Sequence, residues 1–402
     1  MRIEGAIRTC LPHVNPMHTH DTTRMKIMPN LLQRRSPGAT LLSLSLGALL
    51  ITACSDSSDR DPAPPPQAVP FQEIYDQGIL RYLGEYTPMT SEDDGRIVQH
   101  TFGVGDGPQC LAGGEYTMAT RDAGSENLVI FLQGGGGCWS EFCQATPAAA
   151  PGIPEVGILD RNRDGNPVAD WNLAYFPYCD GGLFASDNDR DADGDGINEL
   201  TQRGLHNLSA GLDVTLNTFP APKRILLVGV SGGGLGSSFA LPLVRYHYPD
   251  VPIDVVNDSG IGVGRPDQPE LFELLVADWN WGAFFPESCE QCIADDGHLT
   301  DYHSWQMAED PNTRRGFLSY TQDTVFADVF LMIGKPAFEE AMLEEMQQAE
   351  DDHPDRVRSW IPIGTGHTFV QAEPDQTAGG VNVLDWIGLM VNESDDWVSV
   401  AD

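Results

Sequence analysis

The sequence predicts an α/β fold, with a mostly parallel central sheet covered by helices on both faces. Three observations carry that expectation. Short, continuously apolar runs, Asn127–Leu132 and Ile225–Val228 the clearest, read as strands buried on both faces. Longer segments of helical composition alternate with such runs. One strand-to-helix junction, Gly229-Val230-Ser231-Gly232-Gly233, is built of glycine around a single serine.

Composition narrows the function classes. The 402 residues carry a formal charge of −36, and lysine occurs only at positions 26, 223 and 335. Such a surface repels nucleic acid and anionic lipid and favours a soluble, monomeric chain. Hydrophobic residues at 41% and aromatics at 8% are those of a globular protein.

Residues 1–54 read as targeting sequence. Arg34-Arg35 precede the uncharged run Ala39–Ala53, which is too short to span a bilayer and ends in small residues. The start at Met1 leaves a long leader, and Met25 or Met28 gives an ordinary one. Ile51-Thr52-Ala53-Cys54 resembles the lipobox of bacterial lipoproteins, in which the cysteine is lipidated. The expectation is export, with the lipid on Cys54 as the chain's one membrane contact in a bacterial envelope. Cleavage before Cys54 removes six basic and two acidic residues and takes the charge from −36 to −40. Residues 55–70, rich in Ser, Asp and Pro, read as a disordered tether. A single domain is expected over 71–402.

Six cysteines fall in that domain. An even number in an exported chain favours three disulfides. The close pairs Cys138/Cys143 and Cys289/Cys292 invite local bridges and leave Cys110 with Cys179, among fifteen possible connectivities. Cys289 and Cys292 form a lone C-x-x-C, more readily a bridge than a redox or zinc site.

Along the domain, Asn127–Leu132 runs into Gln133 and four glycines, Gly134–Gly137. A glycine run after a strand exposes backbone N–H groups to any ligand above it. Asp187–Glu199 alternates acids around glycine. Asp191, Asp193, Asp195 and Glu199 are candidate Ca²⁺ ligands, resembling the loops of thrombospondin type 3 repeats and dockerins, with a solvated acidic loop as the alternative. Asp160, Asn162, Asp164 and Gly165 form a weaker version, read as a solvated loop. Further strands are expected at Val251–Val256, Gly316–Tyr320 and Trp360–Ile363. Helices are expected at Leu235–Val244, Lys335–Asp351 and Val381–Val391, and Leu271–Phe285 reads as a helix or a lid over a pocket.

G-x-S-x-G between a buried strand and a helix is the nucleophile elbow of α/β-hydrolases. A serine hydroxyl needs a base, and the base needs a carboxylate to hold its tautomer. In the order serine, acid, histidine, His367 follows the last strand inside Gly364-Thr365-Gly366-His367-Thr368. His100, His206 and His247 come too early or on the elbow helix. His298 and His303 precede the candidate acid, and His353 sits in an acidic surface stretch. Asp323 follows the penultimate strand, with Asp328 as runner-up. The fold class therefore sharpens to a three-layer α/β-hydrolase-like domain.

Several motifs together resemble the pectin acetylesterase family, which includes the Notum carboxylesterases. They are Gln109–Gly114, Phe131–Trp139, Asn166-Pro167 with Asp170–Asn172, Pro177–Gly181 and Asn257-Asp258-Ser259-Gly260. Ala112 stands where that family has an aspartate, and Gly232 where its elbow has an alanine. The resemblance implies Ser231 as nucleophile, Asp323 as acid, His367 as base, and oxyanion N–H groups from Gly135, Gly136 and Gly232. It implies hydrolysis of O-acyl esters without a cofactor, acetyl on pectin in some members and a fatty acyl group on a protein in Notum. The −40 charge disfavours bare polygalacturonate, so an acetyl ester on a neutral or partly esterified glycan, or a small ester, is the expected substrate. The alternatives are a lipid or protein deacylase and an inactive cell-surface glycan-binding homologue. Calcium does not follow from the resemblance and rests on the acidic loop alone.

Overall fold

The computed structural model describes residues 69–402 apart from 266 and 294–296. The signal segment, Cys54 and the tether up to residue 68 lie outside the described residues. The described residues belong to one compact unit, Pro65–Asp402. In chain order the strands are β1 Thr90–Asp93, β2 Val98–Phe102, β3 Tyr116–Arg121, β4 Asn127–Leu132, β5 Gly136–Trp139, β6 Phe142–Ala145, β7 Asn172–Phe176, β8 Asn188–Arg190, β9 Leu200–Gln202, β10 Arg224–Val230, β11 Ile253–Asp258, β12 Thr313–Leu318, β13 Val357–Ile361, β14 Thr377–Ala378, β15 Val381–Asn382 and β16 Val400–Ala401. The helices are α1 Gln72–Asp76, α2 Gly204–Thr218, α3 Gly232–His247, α4 Glu270–Trp279, α5 Thr300–Glu309, α6 Lys335–Asp352 and α7 Val383–Val391.

Ten strands form one sheet in the order β1-β2-β3-β7-β4-β10-β11-β12-β13-β16. Neighbours from β7 to β16 are parallel, and those from β1 to β7 antiparallel. The side-chain period of two explains why β10 carries no polar side chain after Arg224. Ile225 and Leu227 enter one core with Leu205, Leu208 and Leu212 of α2 and Phe239 of α3. Leu226, Val228 and Val230 enter the other with Leu384, Trp386 and Ile387 of α7. Helices therefore cover both faces of an α/β-hydrolase-like sheet.

Inside α3, Pro242 has no N–H for the carbonyl of Ser238 four residues back. The amide of Gln306 on α5 donates to that carbonyl at 2.6 Å. The break is thus repaired from a neighbouring helix rather than left buried and unpaired. Disulfides join Cys110 to Cys179, Cys138 to Cys143 and Cys289 to Cys292. The first ties the approach to β3 to the exit of β7, and the second closes the β5–β6 hairpin.

Several expected bounds shift. Val251–Val256 becomes Ile253–Asp258, because Asn257 and Asp258 continue the ladder to Phe317 and Leu318 despite being polar. Gly316–Tyr320 becomes Thr313–Leu318, and Trp360–Ile363 becomes Val357–Ile361. Leu271–Phe285 splits at Asn280, whose left-handed φ of 56° ends α4 before a short turn at Gly282–Phe284. In register, Gly229 pairs with Leu132 on β4 and Asn257 on β11. The loops leaving β4, β10 and β11 thus start level at one end of the sheet, where ligands of parallel α/β sheets gather.

Candidate active site

Ser231 sits between β10 and α3 with φ 54° and ψ −117°, a conformation that costs a non-glycine residue about 1–3 kcal/mol. The tightness of the turn explains the glycine before it. A Cβ at Gly229 would stand 1.9 Å from the Gly233 carbonyl oxygen. The Ser231 N–H donates to the Asp258 carbonyl at 2.7 Å, which holds the turn against the end of β11.

His367 and Asp323 come from the loops after β13 and β12. His367 Nε2 lies 2.8 Å from Ser231 Oγ, and Nδ1 lies 2.7 Å from Asp323 Oδ2. Asp323 is fully buried, while the His367 side chain keeps 22% exposure. The other oxygen of Asp323 accepts the N–H groups of Val325 at 2.8 Å and Phe326 at 3.1 Å, so the carboxylate cannot swivel without losing both. Asp328 lies elsewhere, 44% exposed and 3.6 Å from Lys335 Nζ. Among the described histidines, His367 is the one joined to Ser231. His303 bonds Ser238 Oγ, and His206 bonds Tyr86 and Asp187.

The glycine loop after β4 reaches the elbow. A Cβ at Gly232 would lie 3.1 Å from the Gly136 carbonyl oxygen and 3.6 Å from its nitrogen. Glycine in place of alanine therefore leaves room between loop and elbow. The first N–H groups of α3, Gly232 included, have no partner within the helix. Gly135 and Gly136 are fixed from behind. The Gly135 carbonyl accepts the Thr146 N–H at 2.7 Å, and the Gly136 carbonyl accepts the hydroxyl of fully buried Tyr178 at 2.7 Å. Tyr178 stands inside a motif visible in the sequence, but its hold on Gly136 becomes visible only in three dimensions.

Beside Ser231 and Gly232 opens a pocket. Leu183, Leu235, Phe272, Trp279, Phe326 and Phe330 line it, so its wall is predominantly apolar. Leu183 and Phe184 both have left-handed φ, at 58° and 63°. Buried Asp180 secures that turn by accepting from the Gly182 and Phe184 N–H groups and the Ser186 hydroxyl at 2.9, 3.1 and 3.0 Å. Burial raises the Asp180 carboxyl to about 6 against those bonds.

The β8–β9 hairpin carries the acidic loop. Carboxylate oxygens of Asp191, Asp193, Asp195 and Glu199 lie within 4.8 Å of one another. Asp191 accepts the N–H groups of Gly194, Asp195 and Gly196 at 2.6, 3.2 and 2.7 Å, and the last of these bonds leads in holding its carboxyl low. An all-oxygen set of this kind fits the chemistry of Ca²⁺.

Residues 103–291 match the profile of the family described as Pectinacetylesterase. Over 191 residues the chain is 30% identical to Pectin acetylesterase 4 of Arabidopsis thaliana, which is 42% of this chain and 46% of that protein. The chain thus spans about half the length of the curated relative it matches. The matched stretch contains the glycine loop, Ser231 and Asp258. Asp323 and His367 lie beyond it and join the site through geometry.

Proposed function

The chain belongs to the pectinacetylesterase family, and from that premise we propose that it is a serine carboxylesterase acting on O-acyl esters, first of all O-acetyl groups on a glycan. The observation that carries this reading is the hydrogen-bonded series Ser231–His367–Asp323, at 2.8 and 2.7 Å. In the proposed reaction Ser231 Oγ attacks the ester carbonyl while its proton passes to His367 Nε2. Asp323 keeps the opposite proton on Nδ1 and stabilises the imidazolium. The N–H groups of Gly232, Gly136 and Gly135 receive the oxyanion, each donor contributing about 2.7–4 kcal/mol in the transition state. His367 returns its proton to the leaving alkoxide, which departs as the alcohol. Water then attacks the acyl-serine and gives a proton to His367, which passes it to Ser231 Oγ as the acyl–oxygen bond breaks and the carboxylic acid leaves.

Hydrolysis of p-nitrophenyl acetate by wild type and Ser231→Ala tests this directly. Loss of activity in the variant supports the reading. Equal rates would leave a glycan-binding protein without catalysis.

The apolar pocket favours a second reading, a deacylase for longer chains, because Leu235, Phe272, Trp279 and Phe330 line it with apolar surface that an acetyl methyl alone does not cover. Comparing kcat/KM for acetate and octanoate esters separates the two. Preference for octanoate selects the deacylase, and preference for acetate selects the deacetylase.

The three disulfides support export to an oxidising compartment. Lipidation of Cys54 remains a proposal from the sequence, checked by the mass of the mature N-terminus. Asp191, Asp193, Asp195 and Glu199 would hold a structural Ca²⁺, with no part in catalysis. A chelator then lowers Tm, and an unchanged Tm removes the ion from the account.

A further inference from the structure

β11 ends at Asp258, Ser259 follows it, and these two residues touch both ends of the candidate site. The Asp258 carbonyl takes the N–H of Ser231 at 2.7 Å. Its fully buried carboxylate takes, through Oδ2, the N–H groups of Phe369 and Val370 at 2.8 Å each, just beyond His367. Ser259 has a left-handed φ of 57°, which aims its hydroxyl at the His367 carbonyl. The same hydroxyl lies 3.2 Å from Asp258 Oδ1.

A hydroxyl has one hydrogen to give. If Asp258 is ionised, its Oδ1 and the His367 carbonyl both compete for that hydrogen, and one acceptor faces a lone pair. A proton on Asp258 Oδ1 removes the conflict. Asp258 then donates to Ser259 Oγ, Ser259 donates to the His367 carbonyl, and Oδ2 still accepts its two N–H groups.

We propose that Asp258, as a neutral carboxylic acid, is a positioning residue that holds His367 through the hydroxyl of Ser259. The inference rests on the reading of His367 as general base. Burial independently raises the Asp258 carboxyl to about 7, opposed by the Val370 and Phe369 N–H groups and by His367. The groups facing it come from every packed element. They are Ser231 at the end of β10, His367 after β13, and Tyr320 after β12, whose hydroxyl is bonded to Glu373. Asp323 stands across the imidazole. Loss of the Asp258 proton turns the Ser259 hydrogen away from His367 and adds a second negative charge near the imidazole.

The test is the pH profile of kcat on p-nitrophenyl acetate for the full chain, with Asp258→Asn, Asp258→Ala and Ser259→Ala. Wild-type kcat falls about tenfold on the alkaline side as Asp258 ionises, the scale of one lost hydrogen bond. In Asp258→Asn the amide donates to Ser259 at every pH, so most of kcat is retained and the alkaline fall disappears. Ser259→Ala loses about tenfold in kcat with KM unchanged and also lacks the fall. Asp258→Ala loses about 100-fold, the scale of a 1 Å displacement of a catalytic group. An infrared difference spectrum between wild type and Asp258→Asn, recorded about one unit below neutrality, gives a second readout. It shows a carboxylic-acid C=O band lost in the variant, with Asp180 cancelling between the two. Absence of that band, or an unchanged alkaline fall in Asp258→Asn, overturns the proposal. Absence of hydrolysis by wild type would sink the esterase reading while the infrared band still decides the protonation of Asp258.

Discussion

Asp323→Asn is the substitution whose outcome follows most closely from the geometry. One oxygen of Asp323 accepts the Val325 and Phe326 N–H groups, and the other faces His367 Nδ1. Asparagine has one acceptor and one donor end. With its oxygen kept on the two N–H groups, the amide NH₂ points at Nδ1. The imidazole must then accept there and carry its proton on Nε2, pointing at Ser231 Oγ. In that tautomer it cannot take the serine proton. The opposite orientation sets the NH₂ against two buried N–H groups and leaves both unpaired, at about 1–3 kcal/mol each. The unproductive orientation therefore dominates. The expected fall in kcat is about 10⁴-fold, equivalent to about 5 kcal/mol at 1.36 kcal/mol per decade. The assay is p-nitrophenyl acetate turnover with a thermal melt as control, and Tm should stay close to wild type because both N–H bonds survive. A variant within tenfold of wild type, at unchanged Tm, would refute the reasoning about the tautomer.

Three further outcomes follow from the packing. Asp258 has its folded carboxyl raised to about 7 by burial, against about 3.9 unfolded. The folded state therefore binds the extra proton between those values, and wild type loses stability as pH rises through that window. The loss is bounded at about 4 kcal/mol and complete above about pH 7, so the Tm advantage of Asp258→Asn should grow from acid to neutral pH. A constant difference would contradict it. Cys110–Cys179 spans 69 residues and Cys289–Cys292 only 3; chain entropy assigns the first about 4 and the second about 2 kcal/mol, so the paired serine replacement of the longer bridge should lower Tm more. Gly229→Ala puts a Cβ 1.9 Å from the Gly233 carbonyl, and its melt should show a destabilised or unfolded chain, a wild-type Tm being the contrary result.

The legible parts of the site are those written in consecutive residues. β10 and its elbow, and β4 with its glycine loop, each combine an apolar run with glycine. Asp323 and His367 were legible by rank order along the chain, because parallel strands deliver their exits to one edge. β3 and β7 were harder, since Tyr116–Arg121 and Asn172–Phe176 owe their burial to partners distant in sequence. α2 shows no clean polar stripe because Asn207, Ser209 and Thr215 are buried with its leucines. The role of Asp258 was invisible for the same reason. Its carboxylate bonds to residues 369 and 370, which no local pattern brings near residue 258.

Trapping the acyl-enzyme tests the central claim most directly. The full chain is mixed with p-nitrophenyl acetate, quenched in acid during the burst, and its peptides are weighed. The account predicts one acetyl group on the peptide containing Ser231, absent in Ser231→Ala and strongly reduced in His367→Ala. Turnover with no acetyl group on Ser231, or an equal yield in His367→Ala, would contradict it.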